Sequence, residues 1–405
     1  MSCGDTTVNR MYSLVISLGV IGLDLTLIGL SYGLIIRAVL RISSKKANRK
    51  ALKTCTPHIC VMVMGCTTSV FSILTHRFGT LSITEPDRCH NPLMEALNIT
   101  PSDPSTFILI GIPGLEAAHI WISIPFSMFY ITSLLVNFMV LFIVGKEQTL
   151  HKPMFLLLCM LALTDIGQST CVVPKALCIF WFRSKEITVD GCITQMFFLY
   201  VFGATQSAVL VIMACDRYVA ICHPLRYATI LTNARIAKLG LVGFIGAVLM
   251  VLPQPLLLRR LPFCTNRVIP HTYCEHIAVV KMSCGDTTVN RMYSLVMSLG
   301  VIGIDLILIG LSYGLIIRAV LRISSKKANR KAFNTCIPHI CVVVMTSTTN
   351  VFSILTHRFG QGIAAHVHIL LANLYLLLPP MVNPIIYGVK TKELRDKVRK
   401  YFCRM

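Results

Sequence analysis

The run Met213-Ala214-Cys215-Asp216-Arg217-Tyr218-Val219-Ala220-Ile221-Cys222-His223-Pro224-Leu225-Arg226-Tyr227 closes an apolar stretch that begins near Cys192. Residues 192–222 are enough to cross a hydrocarbon core about 30 Å thick, which takes roughly 20 helical residues at about 1.5 Å each. An acid and a base stand side by side where the apolar run stops. Pro224, which cannot extend a helix interior, and the basic residues beyond it follow. Such an end reads as a spanning helix meeting the membrane interface, and by itself an Asp-Arg-Tyr triplet needs to be no more than an ion pair there.

Working outward, the rest of the chain is equally apolar: 55% of the 405 residues are hydrophobic and 14% charged. That balance does not suit a soluble protein of this length. From Met94 onward seven apolar segments are predicted, at approximately 120–145, 153–178, 192–222, 236–258, 289–318, 332–356 and 365–387. Most of the formal charge of +21 is gathered in short blocks between or after them, 146–152, 226–238, 318–331 and 390–404, and in the loop 37–53 of the N-terminal part. These alternate with less basic loops, so the positive-inside rule puts them in the cytoplasm. They form no basic domain with interleaved aromatics, so nucleic acid is not the expected partner. Asn98-Ile99-Thr100 then lies outside, where it reads as an N-glycosylation acceptor. Of the 17 Cys, several, including Cys159, Cys171 and Cys341, fall inside apolar runs and read as small core residues. No cleavable signal peptide is expected at the start, so the first spanning helix serves as the insertion signal.

Met1 to Gly79 recurs as Met282 to Gly360 at a constant offset of 281, with about ten differences such as Ile16 against Met297 and Ser69 against Asn350. Two copies separated by unrelated sequence are no solenoid, and the scatter is that of two related genes rather than an assembly copy. The expected organisation is a partial duplicate at 1–79, a polar linker at 80–93 and a complete seven-helix unit at 94–405. The duplicate adds two predicted helices, about 8–36 and 53–75. The fold class is therefore an all-α membrane protein: a seven-transmembrane helix bundle preceded by two additional transmembrane helices.

Five patterns occur in order: Leu150-His151-Lys152-Pro153-Met154, Leu161-Ala162-Leu163-Thr164-Asp165, the Asp216-Arg217-Tyr218 run, Lys331-Ala332-Phe333-Asn334-Thr335-Cys336 and Asn383-Pro384-Ile385-Ile386-Tyr387. Together they resemble the odorant receptors, rhodopsin-like receptors coupled to a G protein. Gly111-Ile112-Pro113-Gly114-Leu115-Glu116 and Leu355-Thr356-His357-Arg358-Phe359-Gly360 resemble the class I, fish-like branch. The resemblance covers about 94–405, and residues 1–79 match only its fifth and sixth helices.

The resemblance implies a switch in which Arg217 is held by Asp216 and released toward the G protein, with Tyr218 and Tyr387 beside it. Cys215 replaces the family's usual Phe. Asp165 is an ionisable residue in mid-span, functional by default. The family pattern joins it to Asn137 and the Asn383-Pro384 region in a sodium and water site, and the plainer alternative is a fixed hydrogen-bond node. Pro384 interrupts the helix ladder and supplies a kink. The family pattern also pairs Cys192 with Cys274 and Cys264 with Cys284, whereas spacing alone leaves the connectivity open.

For ligands, Arg358 matches the position at which an Arg meets a carboxylate, and a planar guanidinium can make two parallel bonds to one. An Arg snorkelling to headgroups is the alternative. Ile354, Tyr200 and Gln206 are the other expected pocket residues. Tyr200 stands where relatives often have His and Gln206 where they often have Glu, which widens the ligand class from short acids to alcohols, ketones and longer acids. The implied partners are a small odorant, a stimulatory olfactory-type G protein that raises cAMP, and membrane lipid, the latter under a short amphipathic helix within 390–404. The implied location is the plasma membrane of olfactory sensory neuron cilia. An enzyme is not expected, because no phosphate loop, zinc helix or nucleophile elbow occurs. A metal site from the outer Cys with His271 and His276 lacks paired spacing. The rival readings are a fused or decayed relic and a transporter, the latter offered only Asp165 and Asp305 as intramembrane charges.

Overall fold

The computed structural model describes residues 105–264, 267–322, 332, 335–348 and 365–402. The helices predicted at 8–36 and 53–75, the linker 80–93, Asn98, Ile354 and Arg358 lie outside the described residues.

Eight helices carry the fold: α1 (His119–Lys146), α2 (Pro153–Phe182), α3 (Val189–Cys222), α4 (Asn233–Val251), α5 (Thr288–Leu321), α6 (Thr335–Thr348), α7 (Ala365–Lys390) and α8 (Lys392–Phe402). With α4 extended by Pro253–Arg259, six are long and apolar enough to cross a membrane, and α6 is a shorter apolar helix over the residues described. Local chemistry sets the ends. Pro153 opens α2, where its missing N–H leaves nothing unsatisfied, and Arg183 ends that helix in the left-handed region at φ 53°. Thr188 caps α3 by accepting from the Gly191 N–H at 3.1 Å, with Asp190 in the first turn. Trp121, Leu135, Phe182 and Leu249 are exposed on outer faces, as lipid-facing side chains should be.

The bundle is not wholly helical. β1 (Thr106–Leu109), β2 (Glu186–Thr188) and β3 (Val268–Ile269) form a small sheet in the order β2-β1-β3. β1 runs antiparallel to β2, with Phe107 opposite Ile187, and parallel to β3, with Leu109 opposite Ile269. Strands this short carry no readable period, and their partners come from distant loops, so the sequence shows only loops there. Phe107, Leu109 and Ile269 are fully buried.

α3 packs against α2, α4 and α5, and α7 packs against α1 and α2. Most buried apolar side chains gather in two large clusters, beside two small ones. One large cluster contains Phe126, Val173, Ile179, Met196, Ile369 and Leu377, the other Ile143, Leu157, Leu161, Leu210, Met213 and Tyr387. On each of α1, α2, α3 and α7 buried polar residues lie between the two large clusters, among them Asn137, Asp165 with Ser169, Gln206 and Asn383. The bundle thus has a buried polar layer between two apolar ones, and in lipid such a layer persists only if its members satisfy one another.

α8 is held from the cytoplasmic side. Glu147, at the end of α1, accepts from Lys397, from Lys400 at 3.0 Å and from the Tyr401 hydroxyl at 2.9 Å. Those hydrogen bonds, Lys397 first, hold its carboxyl down to about 2 from an ordinary 4.5. A depressed carboxylate contributes in full above its ordinary value and loses that contribution as the pH falls toward its folded value. Glu147→Gln is therefore expected to loosen α8 at neutral pH, read as increased mobility of a spin label on its outer face. The wild-type label should stay immobile down to about pH 3, between the two values, and equal mobility in both proteins would show that lipid alone holds α8.

Candidate functional site

At the inner end of α3, Asp216 and Arg217 are both buried. Arg217 donates to Asp216 Oδ2 through Nε at 2.9 Å and through Nη2 as well. The other carboxylate oxygen accepts from the Tyr227 hydroxyl at 2.7 Å. Asp216 is thus satisfied on both oxygens, and Arg217 is turned back along its own helix. Tyr218 lies outside this lock, its hydroxyl 3.4 Å from the ring of His223. Tyr387 is buried against Met213, with its hydroxyl 3.9 Å from the thioether sulfur.

Two groups missed in the sequence lie close by. His339 on α6 makes a 3.1 Å contact from Nε2 to the Leu210 carbonyl of α3, and its Nδ1 is 2.6 Å from the Tyr313 hydroxyl of α5. A carbonyl can only accept, so Nε2 carries the hydrogen and Nδ1 accepts from Tyr313. One buried imidazole thereby links three helices. The available signal was a His inside an apolar run, repeated as His58 in the N-terminal copy.

In the polar layer, Pro384 has no N–H to give the Pro380 carbonyl one turn earlier. Asn137 supplies that donor from α1, Nδ2 to Pro380 O at 2.8 Å, and also donates to Ser133 O at 2.9 Å. The Pro384 turn of α7 is thereby stitched to α1. Asp165 is fully buried. Its Oδ1 accepts from Gln206 Nε2 at 2.6 Å, and both its oxygens are 3.2 Å from Asn383 Nδ2. Asn137 therefore joins this layer through Pro380 and Ser133.

Gln206, expected on the pocket wall, bonds Asp165 in the polar layer. Six residues on from Tyr200, α3 has advanced about 9 Å and turned to another face, so Gln206 meets Asp165. The same bond bears on sodium. Amide N–H groups hold a carboxylate but do not coordinate a cation, and Asp165 is the one acid among Asn137, Asp165, Gln206 and Asn383. As bonded here, Gln206 and Asn383 turn N–H groups rather than oxygens toward the Asp165 carboxylate, so this arrangement holds the acid without a cation. Asn137 Oδ1 and Asn383 Oδ1 are buried without hydrogen-bond partners, as acceptors suited to the hydrogens of a water molecule.

The outer end is closed by the loop before α5. Cys192 at the head of α3 is bonded to Cys274, and Cys264 to Cys284. Gln195 accepts from the Cys274 N–H at 3.0 Å, and Thr272 donates to Asn373 of α7 at 2.8 Å. Thr272, Cys274, Glu275 and His276 are buried. The half-buried Tyr200 accepts the His276 N–H at 3.2 Å, and Glu275 caps the short helix His276–Val280 through the Ala278 N–H at 2.7 Å. Burial pushes the His276 imidazole below its ordinary value, which favours its neutral form. Tyr200 therefore stands at the outer end, beneath this loop. No group of three or more His, Cys, Asp or Glu that could hold a metal occurs among the described residues.

The fold is similar to squid rhodopsin, with a TM-score of 0.59 at 16% identity, covering 73% of this chain and 87% of that one. A family model described as olfactory receptor matches residues 1–84 and 126–405, so the N-terminal copy carries the same family sequence. Human olfactory receptor 52P1 is 52% identical over 309 residues, 76% of this chain and 96% of the relative. Human olfactory receptor 52K2 is 50% identical over 311 residues, 77% and 99% of the two chains. With its rhodopsin-like bundle and apolar spanning helices, this chain belongs to the olfactory receptor family, odorant-sensing receptors that cross the plasma membrane several times and are not enzymes.

Proposed function

We propose that this receptor takes a small aliphatic odorant, a carboxylic acid before an alcohol or ketone, into the outer half of its bundle and then activates a stimulatory, olfactory-type heterotrimeric G protein to raise cAMP. The observation that carries the reading is the lock at the inner end: a buried Arg217 held by Asp216, itself held by Tyr227, at the face where the basic loops meet the cytoplasm. A ligand that favours the released arrangement shifts the population by its differential affinity. At the outer end, Tyr200 packs against the apolar cluster and, with Glu275 and His276, sets hydrogen-bonding groups beside it. Arg358 is the proposed carboxylate partner, with Ile354 four residues before it in the sequence as a further pocket residue. Residues 94–405 form the receptor, Asn98 carries its glycan, and residues 1–79 are a joined copy of the fifth and sixth helices. Olfactory cilia are the proposed location.

The full chain and a chain beginning at Met94 are to be expressed with olfactory G protein, surface display measured, and cAMP recorded against acids, alcohols and ketones. A charge-assisted bond is worth about 1.5–3 kcal/mol, so Arg358→Ala is expected to weaken acid responses at least roughly tenfold and leave alcohols little changed. Silence across the panel despite good display would overturn the ligand reading.

A further inference from the structure

The polar layer contains a bond whose consequence reaches beyond ligand and G protein. Asp165 is 0% exposed in mid-bundle, where an uncompensated carboxylate is expensive. Its compensation comes from two amides: Gln206 Nε2 at 2.6 Å from Oδ1, and Asn383 Nδ2 at 3.2 Å from both oxygens. The Gln206 contact, between α3 and α2, is the shorter of the two.

We propose that Gln206 acts as a built-in substitute for a cation: its amide, and not a sodium ion, holds Asp165 in the resting bundle, so the resting state of this receptor does not depend on sodium. The charge balance gives the reason. Asn137, Asp165, Gln206 and Asn383 bring one negative charge together, and the partial positive charge on the amide hydrogens is directed at it. A cation approaching Oδ1 meets those hydrogens head-on and has to displace Gln206 first. A carboxylate at position 206 would reverse the situation. It has nearly the same shape, donates no hydrogen when ionised, and sets a second negative charge beside the first, and two carboxylates that close do not both ionise without a cation between them. Gln206 is thus a positioning residue for Asp165.

The test needs neither the odorant nor the G protein, so its failure is distinct from failure of the functional reading. The purified full chain is to be melted in a series of sodium chloride concentrations against choline chloride at equal ionic strength. The wild-type midpoint is expected to be the same in both salts, whereas Gln206→Glu should gain several degrees, saturably, in sodium alone. A cavity variant, Gln206→Ala, keeps the test decisive if the acidic variant does not fold, because removing the amide should also create a sodium-specific rise. A saturable sodium-specific rise in the wild type that Asp165→Asn abolishes would overturn the proposal. So would variants that fold and stay as blind to sodium as the parent.

Discussion

Asp216→Asn is expected to raise ligand-independent cAMP in cells by roughly tenfold at equal surface display. The carboxylate is 1% exposed and Arg217 7% exposed, so their pairing is shielded from water. Removing one partner of a buried pair costs about 3–5 kcal/mol because the other charge is left uncompensated. Only the part that differs between the held and released arrangements moves the equilibrium. If half of it does, about 1.5–2.5 kcal/mol, the population shifts by at least roughly tenfold. Tyr227→Phe removes one hydrogen bond to the same carboxylate and should act in the same direction but less strongly. Basal signalling unchanged in the Asp216 variant would mean that other contacts hold the resting state, with the His339 link among α3, α5 and α6 the first to examine.

Loss of the Cys192–Cys274 bond is the second large effect, and Cys274→Ser is expected to reduce surface display about tenfold, clearly more than Cys264→Ser. The bonds close 82 and 20 residues of chain. Loop-closure entropy makes the longer one worth about 4.5 kcal/mol against about 3.3 for the shorter. Geometry adds to the difference. Cys274 sits between Gln195, which accepts its N–H, and the His276 N–H on Tyr200, so freeing it unseats the whole outer rim. Antibody labelling of intact cells reads display directly, and equal losses from the two substitutions would show that folding quality control senses the free thiol rather than the loop.

Much of the architecture was legible in the chain itself. Apolar segments of spanning length, basic loops on alternate sides and five ordered motifs report burial in lipid and meeting points with water, and both are properties of local composition. The lock at Asp216 and Arg217 was legible too, because its two partners are neighbours in sequence. The duplication at 1–79 is purely a matter of sequence. What tertiary structure alone decided is which distant polar groups meet. Gln206 was expected on the ligand wall because relatives often carry Glu there, and the packing bonds it to Asp165, 41 residues away. Asn137 serves the carbonyl that Pro384 leaves bare, 243 residues on, and three strands too short to show a period find each other around the outer mouth. Inside a bilayer a polar side chain must find its partner within the protein. Hydropathy reveals that such a partner is needed, and only the packing of α1, α2, α3 and α7 determines which one it is.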